Sequence, residues 1–577
     1  VKDFAGLCRE LDAATSTRSK HRALTAYLRA ARATPARRES AAWAIYLLAG
    51  GKPRGIAPSR YLRRLAQETS GLPEWLFEES YATVGDLAET VCLLIPDATN
   101  VETAPLHVWM TERLLPLRDM PEADRYAAFR RYALTAPSAE RFVFFKIITG
   151  NYRIGVSKQQ IIHALAEVAA LDPITIARRM TGYTQADRRP ATADFDALLA
   201  PAGESEEFLR ERPYPFYLAQ PLARAHAPST ETLGPVEDWL AEWKFDGVRA
   251  QALVRDGCVA IWSRGEELVT ESFPELTKLE KILPLDICLD GEIVVMKSPE
   301  DAVIAPETIS GLESFATLQR RLGRTRPGAK ILTDAPVVFI AYDLLDYDGE
   351  DLRSEPQERR RGRLVEIVHA AFETAARGGF TSPPLRISPL LCASDWDALD
   401  GMRQNARRLG AEGLMLKARA GRYGVGRRKG GDREDVWWKW KLDPLSLDAV
   451  LIYAQRGHGR RSGLCSDYTF AVWTDDDDGA RRLTPFARAY SGLDDAEMQA
   501  VDRIIRRTTV ETFGPVRRVE PTLVFELGFE GVVASGRHKS GVAVRFPRIL
   551  RWRKDKSIAE ADTLAHLKSL ASGAATA

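Results

Sequence analysis

Cysteine is scarce in this sequence. Its 577 residues hold six, at Cys8, Cys92, Cys258, Cys288, Cys392 and Cys465, and no two form a Cys-x-x-Cys pair. That argues against a zinc cluster or a disulfide framework and makes a reducing interior the expected setting. Long apolar runs are missing too. The longest, Ala41–Gly50, is too short to span a bilayer and reads as a buried helix. No apolar signal region or small-residue cleavage site opens the chain, so no export signal or membrane association is expected. A large excess of charge is also absent: the net charge is +2, which neither demands nor excludes nucleic acid, because the clustering of basic residues decides that. No internal repeat is visible.

What is present is a globular composition, 45% hydrophobic and 28% charged, in a chain too long for one ordinary core. Residues 1 to about 185 are rich in Ala, Leu, Arg and Glu at helical spacing, as in Ile161–Ala170. Between about 185 and 215 the texture turns to Pro, Gly and Ser, as in a linker. From about 216 to 445 strand-like and helical runs alternate, with strands expected over Leu253–Trp262, Ile287–Val295 and Val337–Leu345 and a helix over Glu358–Ala376. Beyond that, short strands separated by Gly-rich turns are expected at Asp448–Tyr453, Tyr468–Trp473, Thr522–Leu527 and Val542–Phe546, the pattern of a small β-barrel.

The most informative segment is Lys244-Phe245-Asp246-Gly247-Val248-Arg249, which joins an amine nucleophile to a guanidinium across a Gly turn. A Lys that attacks a nucleotide phosphate needs an anion clamp within reach, and Arg249 could supply it; an ordinary surface turn is the alternative. Downstream, Arg264 follows a strand, Glu292 stands in Leu289-Asp290-Gly291-Glu292, and Tyr342 lies in a strand-like run. Glu412 precedes a Gly, and Trp437-Trp438-Lys439-Trp440-Lys441 alternates ring and ammonium. In an extended strand Lys439 and Lys441 project together, with Trp438 and Trp440 behind them. Two ammonium groups on one face suit a nucleotide phosphate, or else guard a solvated edge strand.

Together, in order and content, these segments resemble the shared motifs of the covalent nucleotidyltransferases: DNA ligases, RNA ligases and mRNA capping enzymes. The stretch Val544–Lys556, with Arg545, Arg551, Arg553 and Lys556, is similar to the C-terminal motif of ATP-dependent DNA ligases, as is Gly457–Gly463. In the helical region Phe144–Gly155, with Arg153 between Gly150 and Gly155, resembles the segment by which these ligases contact nicked duplex. The fold this implies is multidomain: an all-α DNA-binding domain at 1–200, an α+β adenylation domain at 201–445 and a C-terminal OB-fold β-barrel at 446–577.

The resemblance also implies roles. Lys244 would attack ATP to form a lysyl–AMP intermediate. Glu292 and Glu412 would hold Mg²⁺, a hard cation that prefers carboxylate and phosphate oxygen. Glu242 would accept from the adenine amino group, Tyr342 would stack on the base or else be a core tyrosine, and Arg264 would meet ribose or the DNA end. Arg249, Arg433, Lys439 and Lys441 would contact the nucleotide, and Arg545, Arg551, Arg553 and Lys556 would orient pyrophosphate. Arg153 and Gly155 would engage DNA. The partner expected is nicked duplex DNA encircled by a monomer, in the cytoplasm of a prokaryote or the nucleus of a eukaryote. The competing readings are an RNA ligase or capping-type enzyme, and an inactive DNA-binding relative.

Overall fold

The computed structural model describes the chain except for residues 151, 153, 202–209, 223–227, 298–304, 381, 427–435, 458–461, 476–480 and 573–577. It divides into two compact units. The first comprises Val1–Ala57, Val101–Ala128 and Lys146–Leu442, the second Pro58–Asn100, Phe129–Phe145 and Asp443–Ala577.

The first unit opens with helices whose starts are chemically marked. Ser16 accepts from the Ser19 N–H to cap Thr17–Ala31, and Thr34 with Pro35 in the first turn starts Pro35–Leu48. Residues Ala41–Leu47 are all buried, which is why that run is apolar without a polar face. Lys158–Ala169 starts on a Ser157/Gln160 capping box and buries Ile161, Ile162, Leu165 and Val168.

Two sheets follow in the same unit. A six-stranded sheet runs in the order Cys258–Ser263, Val248–Arg255, Asp286–Val295, Val337–Tyr347, Glu350–Asp351, with Leu385–Ile387 parallel to Val337–Tyr347. A five-stranded sheet has the order Gln220–Pro221, Trp438–Lys441, Ala411–Ala418, Trp239–Phe245, Leu390–Leu391. Period-two alternation sorts their side chains. Ala250, Ala252, Val254, Ile287, Leu289 and Ile293 join a core with Leu364, Val368 and Ala371 of the helix Gln357–Arg377, which leaves Arg249, Asp290 and Glu292 on the opposite face. Ala241, Leu414, Leu416, Trp438 and Trp440 likewise share one cluster, so Glu242, Lys244, Met415, Lys417, Lys439 and Lys441 point the other way.

The run Leu253–Trp262, expected as one strand, is a hairpin. Asp256 and Gly257 take φ of 49° and 76°, and Arg255 pairs with Cys258 across them. The Asp-Gly pair was the available signal, because both turn positions need the left-handed region.

In the second unit the expected OB-fold barrel is not formed: among the described residues no sheet closes. The long strand Leu445–Arg456 pairs with Cys465–Asp475, Val516–Val519 and Val524–Phe529, and the sheet ends at Arg481–Ala489 on one side. Among the described residues Arg548–Trp552 pairs with Val524–Phe529 alone. These would-be closing edges meet through one backbone bond, Ile549 N–H to Ser491 O at 2.9 Å, instead of a ladder. Gly492, at φ 117°, lies just beyond that bond and packs so closely that a Cβ there would come within 1.8 Å of the Ile549 carbonyl oxygen. Gly531–Ala534 and Val542–Arg545 form a separate two-stranded sheet. The core of this region collects Leu451, Phe470, Phe525, Leu527 and Ile549 with Val501 and Ile505 of the helix Asp495–Thr508.

Candidate active site

The two sheets of the first unit both contribute to one cavity of about 270 Å³. From the five-stranded sheet come Glu242, Lys244, Met415, Lys417, Lys439 and Lys441, and from the six-stranded sheet Arg249, Glu292 and Tyr342; Arg264 lines it from the turn after Ser263. The chain crosses from one sheet to the other at Asp246-Gly247, so Lys244 and Arg249 end two strands that face one cavity. Glycine is required at that crossing. A Cβ on Gly247 would come within 2.4 Å of the Ile293 carbonyl oxygen and 2.8 Å of Glu292 Cγ.

Lys244 Nζ donates to Glu412 Oε2 at 2.7 Å, and Lys441 Nζ lies 3.2 Å from the same oxygen. Burial alone would raise the Glu412 carboxyl, but Lys244, then Lys441, outweigh it and hold it below its usual value. Glu292 behaves in the opposite sense. It keeps some exposed surface but is desolvated, and that pushes it up to about 7 against the pull of Lys244 and Arg249. Arg249 donates to both Asp290 oxygens, at 3.2 and 2.7 Å, and to the Tyr217 carbonyl at 2.5 Å. Tyr423 Oη donates to Asp290 Oδ2 at 2.7 Å, so the carboxylate that fixes Arg249 is itself held.

Glu242 is enclosed. Its side chain is 3% exposed and its oxygens meet Arg361 at 3.0 Å and Lys417 at 2.5 Å. Tyr342 lies at the cavity with Lys417 Nζ 4.5 Å from its ring centre, and Trp437 meets it edge-on at 6.2 Å. Lys417, Arg361, Asp290 and Tyr423 were given no role by sequence reasoning. Lys417 follows Glu412 by five residues on one strand, an odd spacing that in a regular strand points to the opposite face, so Glu412 gave no signal for it. Arg361 offered none, because Arg359-Arg360-Arg361 reads as a solvated helix face, whereas Arg360 and Arg361 are buried on Asp343 and Glu242.

The remaining expected residues lie elsewhere or outside the described residues, as Arg153 and Arg433 do. Gly155 has φ 63° and its carbonyl accepts from Lys20 Nζ at 2.9 Å. In the second unit Arg545 ends a strand beside the Phe546 ring, and Arg551 meets Glu526 at 3.1 Å. Arg553 and Lys556 both reach Asp448, at 2.9 and 2.5 Å, and Arg553 also binds Asp555 at 2.7 Å. Among the described residues no group of three or more His, Cys, Asp or Glu could hold a metal ion, and no single helix is long and apolar enough to cross a membrane.

Residues 218–441 match the family model for the ATP dependent DNA ligase domain, residues 1–166 that for the DNA ligase N terminus, and residues 461–556 that for the ATP dependent DNA ligase C terminal region. A "Probable DNA ligase" of Koribacter versatilis is 32% identical over 518 residues, covering 87% of this chain and 84% of that protein. Another, of Opitutus terrae, is 33% identical over 576 residues, covering 91% of this chain but 54% of the longer relative. The solved structure named "Pmar-Lig_Pre." shares the fold, with a TM-score of 0.56 and 14% identity over 96% of this chain and 99% of that one.

Proposed function

We propose, from the premise that this chain belongs to the ATP-dependent DNA ligase family, that it seals nicks in duplex DNA through a covalent nucleotide intermediate on Lys244. The observation that carries this reading is the cavity in which Lys244 meets Glu292, Arg249, Arg264, Tyr342, Lys439 and Lys441. In the first step the neutral Lys244 amine attacks the α-phosphorus of ATP: a P–N bond forms, the α–β P–O bond breaks and pyrophosphate leaves. Glu412 Oε2, 2.7 Å from Lys244 Nζ, is the atom disposed to hold the departing proton. Lys439 and Lys441 meet the phosphate charge. Tyr342 stacks on the base, Glu242 accepts from its amino group, and Arg264 meets ribose or the DNA end.

AMP then passes to the 5′-phosphate of the nick, and the 3′-hydroxyl displaces it as the strand is joined. Both are displacements at phosphorus governed by positioning and charge neutralisation. Glu292 is the residue whose chemistry fits Mg²⁺. A desolvated carboxyl without an ion-pair partner among the described residues suits a cation whose other ligands are phosphate oxygens and water. Bound there, the ion would neutralise phosphate charge. Glu412 would have to exchange its two lysines to join it.

Domain limits of 1–200, 201–445 and 446–577 are supported by the three matched segments, and a hinge near Leu442-Asp443-Pro444 by the boundary between the compact units. In this reading the helical region engages the nicked duplex, and Arg545, Arg551, Arg553 and Lys556 orient pyrophosphate. The test is transfer of label: ATP labelled at the α-phosphate should leave label on the protein, and GTP and NAD should not. No label from ATP would overturn the assignment.

A further inference from the structure

Lys158 breaks a local rule. It is the first residue of the helix Lys158–Ala169, where the N-terminal end of the helix dipole disfavours a cation. Its compensation lies in the turn after the strand Cys258–Ser263: Lys158 Nζ meets both oxygens of Glu266 at 2.5 Å. Glu266 Oε2 also accepts the Gly182 N–H at 3.2 Å. The ring of Trp262 packs against Gly182 so closely that a Cβ there would come within 3.0 Å of it.

Glu266 breaks a second rule, because it is a non-glycine residue at φ 61°. The turn it completes is short and closed. Glu266 N–H donates to Ser263 O at 2.8 Å and Ser263 N–H to Glu267 O at 2.9 Å, and between them stands Arg264, whose own N–H donates to Arg249 O at 2.9 Å. Arg264 lines the nucleotide cavity together with Lys244 and Glu292. On the other side of the contact, Lys158 stands three residues after Gly155, and Lys20 Nζ holds the Ile154 and Gly155 carbonyls at 3.0 and 2.9 Å. One continuous set of contacts thus runs from the Gly155 segment through Lys158 and Glu266 to the turn that carries Arg264, all within the first compact unit.

We propose that Glu266 is a positioning residue: gripped by Lys158 and the Gly182 N–H, it fixes the turn that presents Arg264 to the nucleotide, so that the helical region sets the geometry of the adenylation cavity. This rests on the reading of that cavity as the ATP site. A pair that merely glued helices to the sheet would affect stability alone, whereas a positioning residue changes how well ATP is held in the step that uses Arg264.

The test uses the full chain and the rate of self-adenylation against ATP concentration. Glu266→Gln, which is isosteric, and Lys158→Met should each raise the KM for ATP by about five-fold or more, with a smaller change in the limiting rate. Lys158→Arg, which keeps the charge, should stay near the wild-type KM. Glu267→Gln, next along the same turn, should also stay there. If Glu266→Gln and Lys158→Met lower the melting temperature but keep the wild-type KM, the proposal is overturned, and so it is if Glu267→Gln raises KM as much. Failure of the ATP-site reading is distinguishable, because it would appear as absence of label on the wild-type protein.

Discussion

On the five-stranded wall of the cavity, Glu242 is enclosed between Arg361 and Lys417 at 3.0 and 2.5 Å. On the six-stranded wall, Glu292 has no ion pair among the described residues, and burial pushes it up to about 7. Both are carboxylates on sheet strands that line one cavity, yet they are in opposite electrostatic states. A buried carboxylate met by two cations is a structural commitment, since losing it strands both cations. One that is desolvated without a pair is held ready for a cation that arrives with the substrate. Glu412 is intermediate: it is paired, but with the proposed nucleophile itself.

The largest effect should come from Lys244. Lys244→Ala should abolish label transfer and sealing while leaving the fold intact, and Lys244→Arg should fail equally because guanidinium stays protonated. Appreciable labelling of either purified variant would move the nucleophile elsewhere. Next in size is the contrast between the walls. Glu242→Ala should cost about 3–5 kcal/mol of unfolding free energy, because Arg361 and Lys417 are left buried and unpaired. Glu292→Ala should cost little or nothing in the nucleotide-free protein, yet lower adenylation and shift its Mg²⁺ dependence. Urea unfolding of both variants would break the comparison if Glu292→Ala proved the more destabilised.

The same comparison has a pH signature. The ordinary Glu value is about 4.3, and Glu292 in the folded protein stands near 7. Between those values the folded chain keeps a proton that the unfolded chain has lost. The cost of ionising Glu292 is therefore absent at lower pH and grows as pH rises through about 7. Glu292→Gln should accordingly gain roughly 1–3 kcal/mol on the wild type between about pH 5 and pH 8 in the absence of nucleotide. The Mg²⁺ requirement of the wild type should ease over the same range, as the carboxylate form becomes available. An unfolding free-energy difference that stayed flat with pH would mean that Glu292 ionises normally.

Part of the cavity was legible in the sequence because period two is a rigid rule: Lys439 and Lys441 between tryptophans could only share a face, whereas Glu242 was implied by the family resemblance. Most strands were legible for the same reason, and the helical first region through the 3.6-residue spacing of its apolar positions. What was hidden depends on long-range partners. Arg361 is buried because Glu242, on a strand more than a hundred residues earlier, lies against it, and nothing in a run of three arginines says so. The hairpin at Asp256-Gly257 is written in a turn pair that interrupts the strand-like run Leu253–Trp262. The open sheet of the second unit could not be read, because closure is decided by whether two edges distant in sequence come into register, and here, among the described residues, they meet through one backbone bond.

The smallest effect tests whether the contrast between committed and available charges extends to the second unit. Asp448, whose side chain is 8% exposed, receives Arg553 and Lys556, so these two basic residues resemble Arg361 and Lys417 in being held by a buried acid. Arg551 differs: its side chain is 61% exposed and its one ion-pair partner among the described residues is Glu526 at 3.1 Å. Exposed pairs of that kind contribute under about 1 kcal/mol. Arg551→Ala should therefore leave the urea midpoint almost unchanged, and Arg553→Ala should lower it by more than Arg551→Ala does, because Asp448 would keep only Lys556. If Arg551 orients pyrophosphate, its loss should nonetheless slow self-adenylation, by less than the roughly hundred-fold that removing a donor from a water-excluded site costs, because Arg551 is exposed. The rate of joining a pre-adenylated nick, which releases no pyrophosphate, should hold. Wild-type adenylation in Arg551→Ala would remove that arginine from the first step and leave it as an exposed charge on an open sheet.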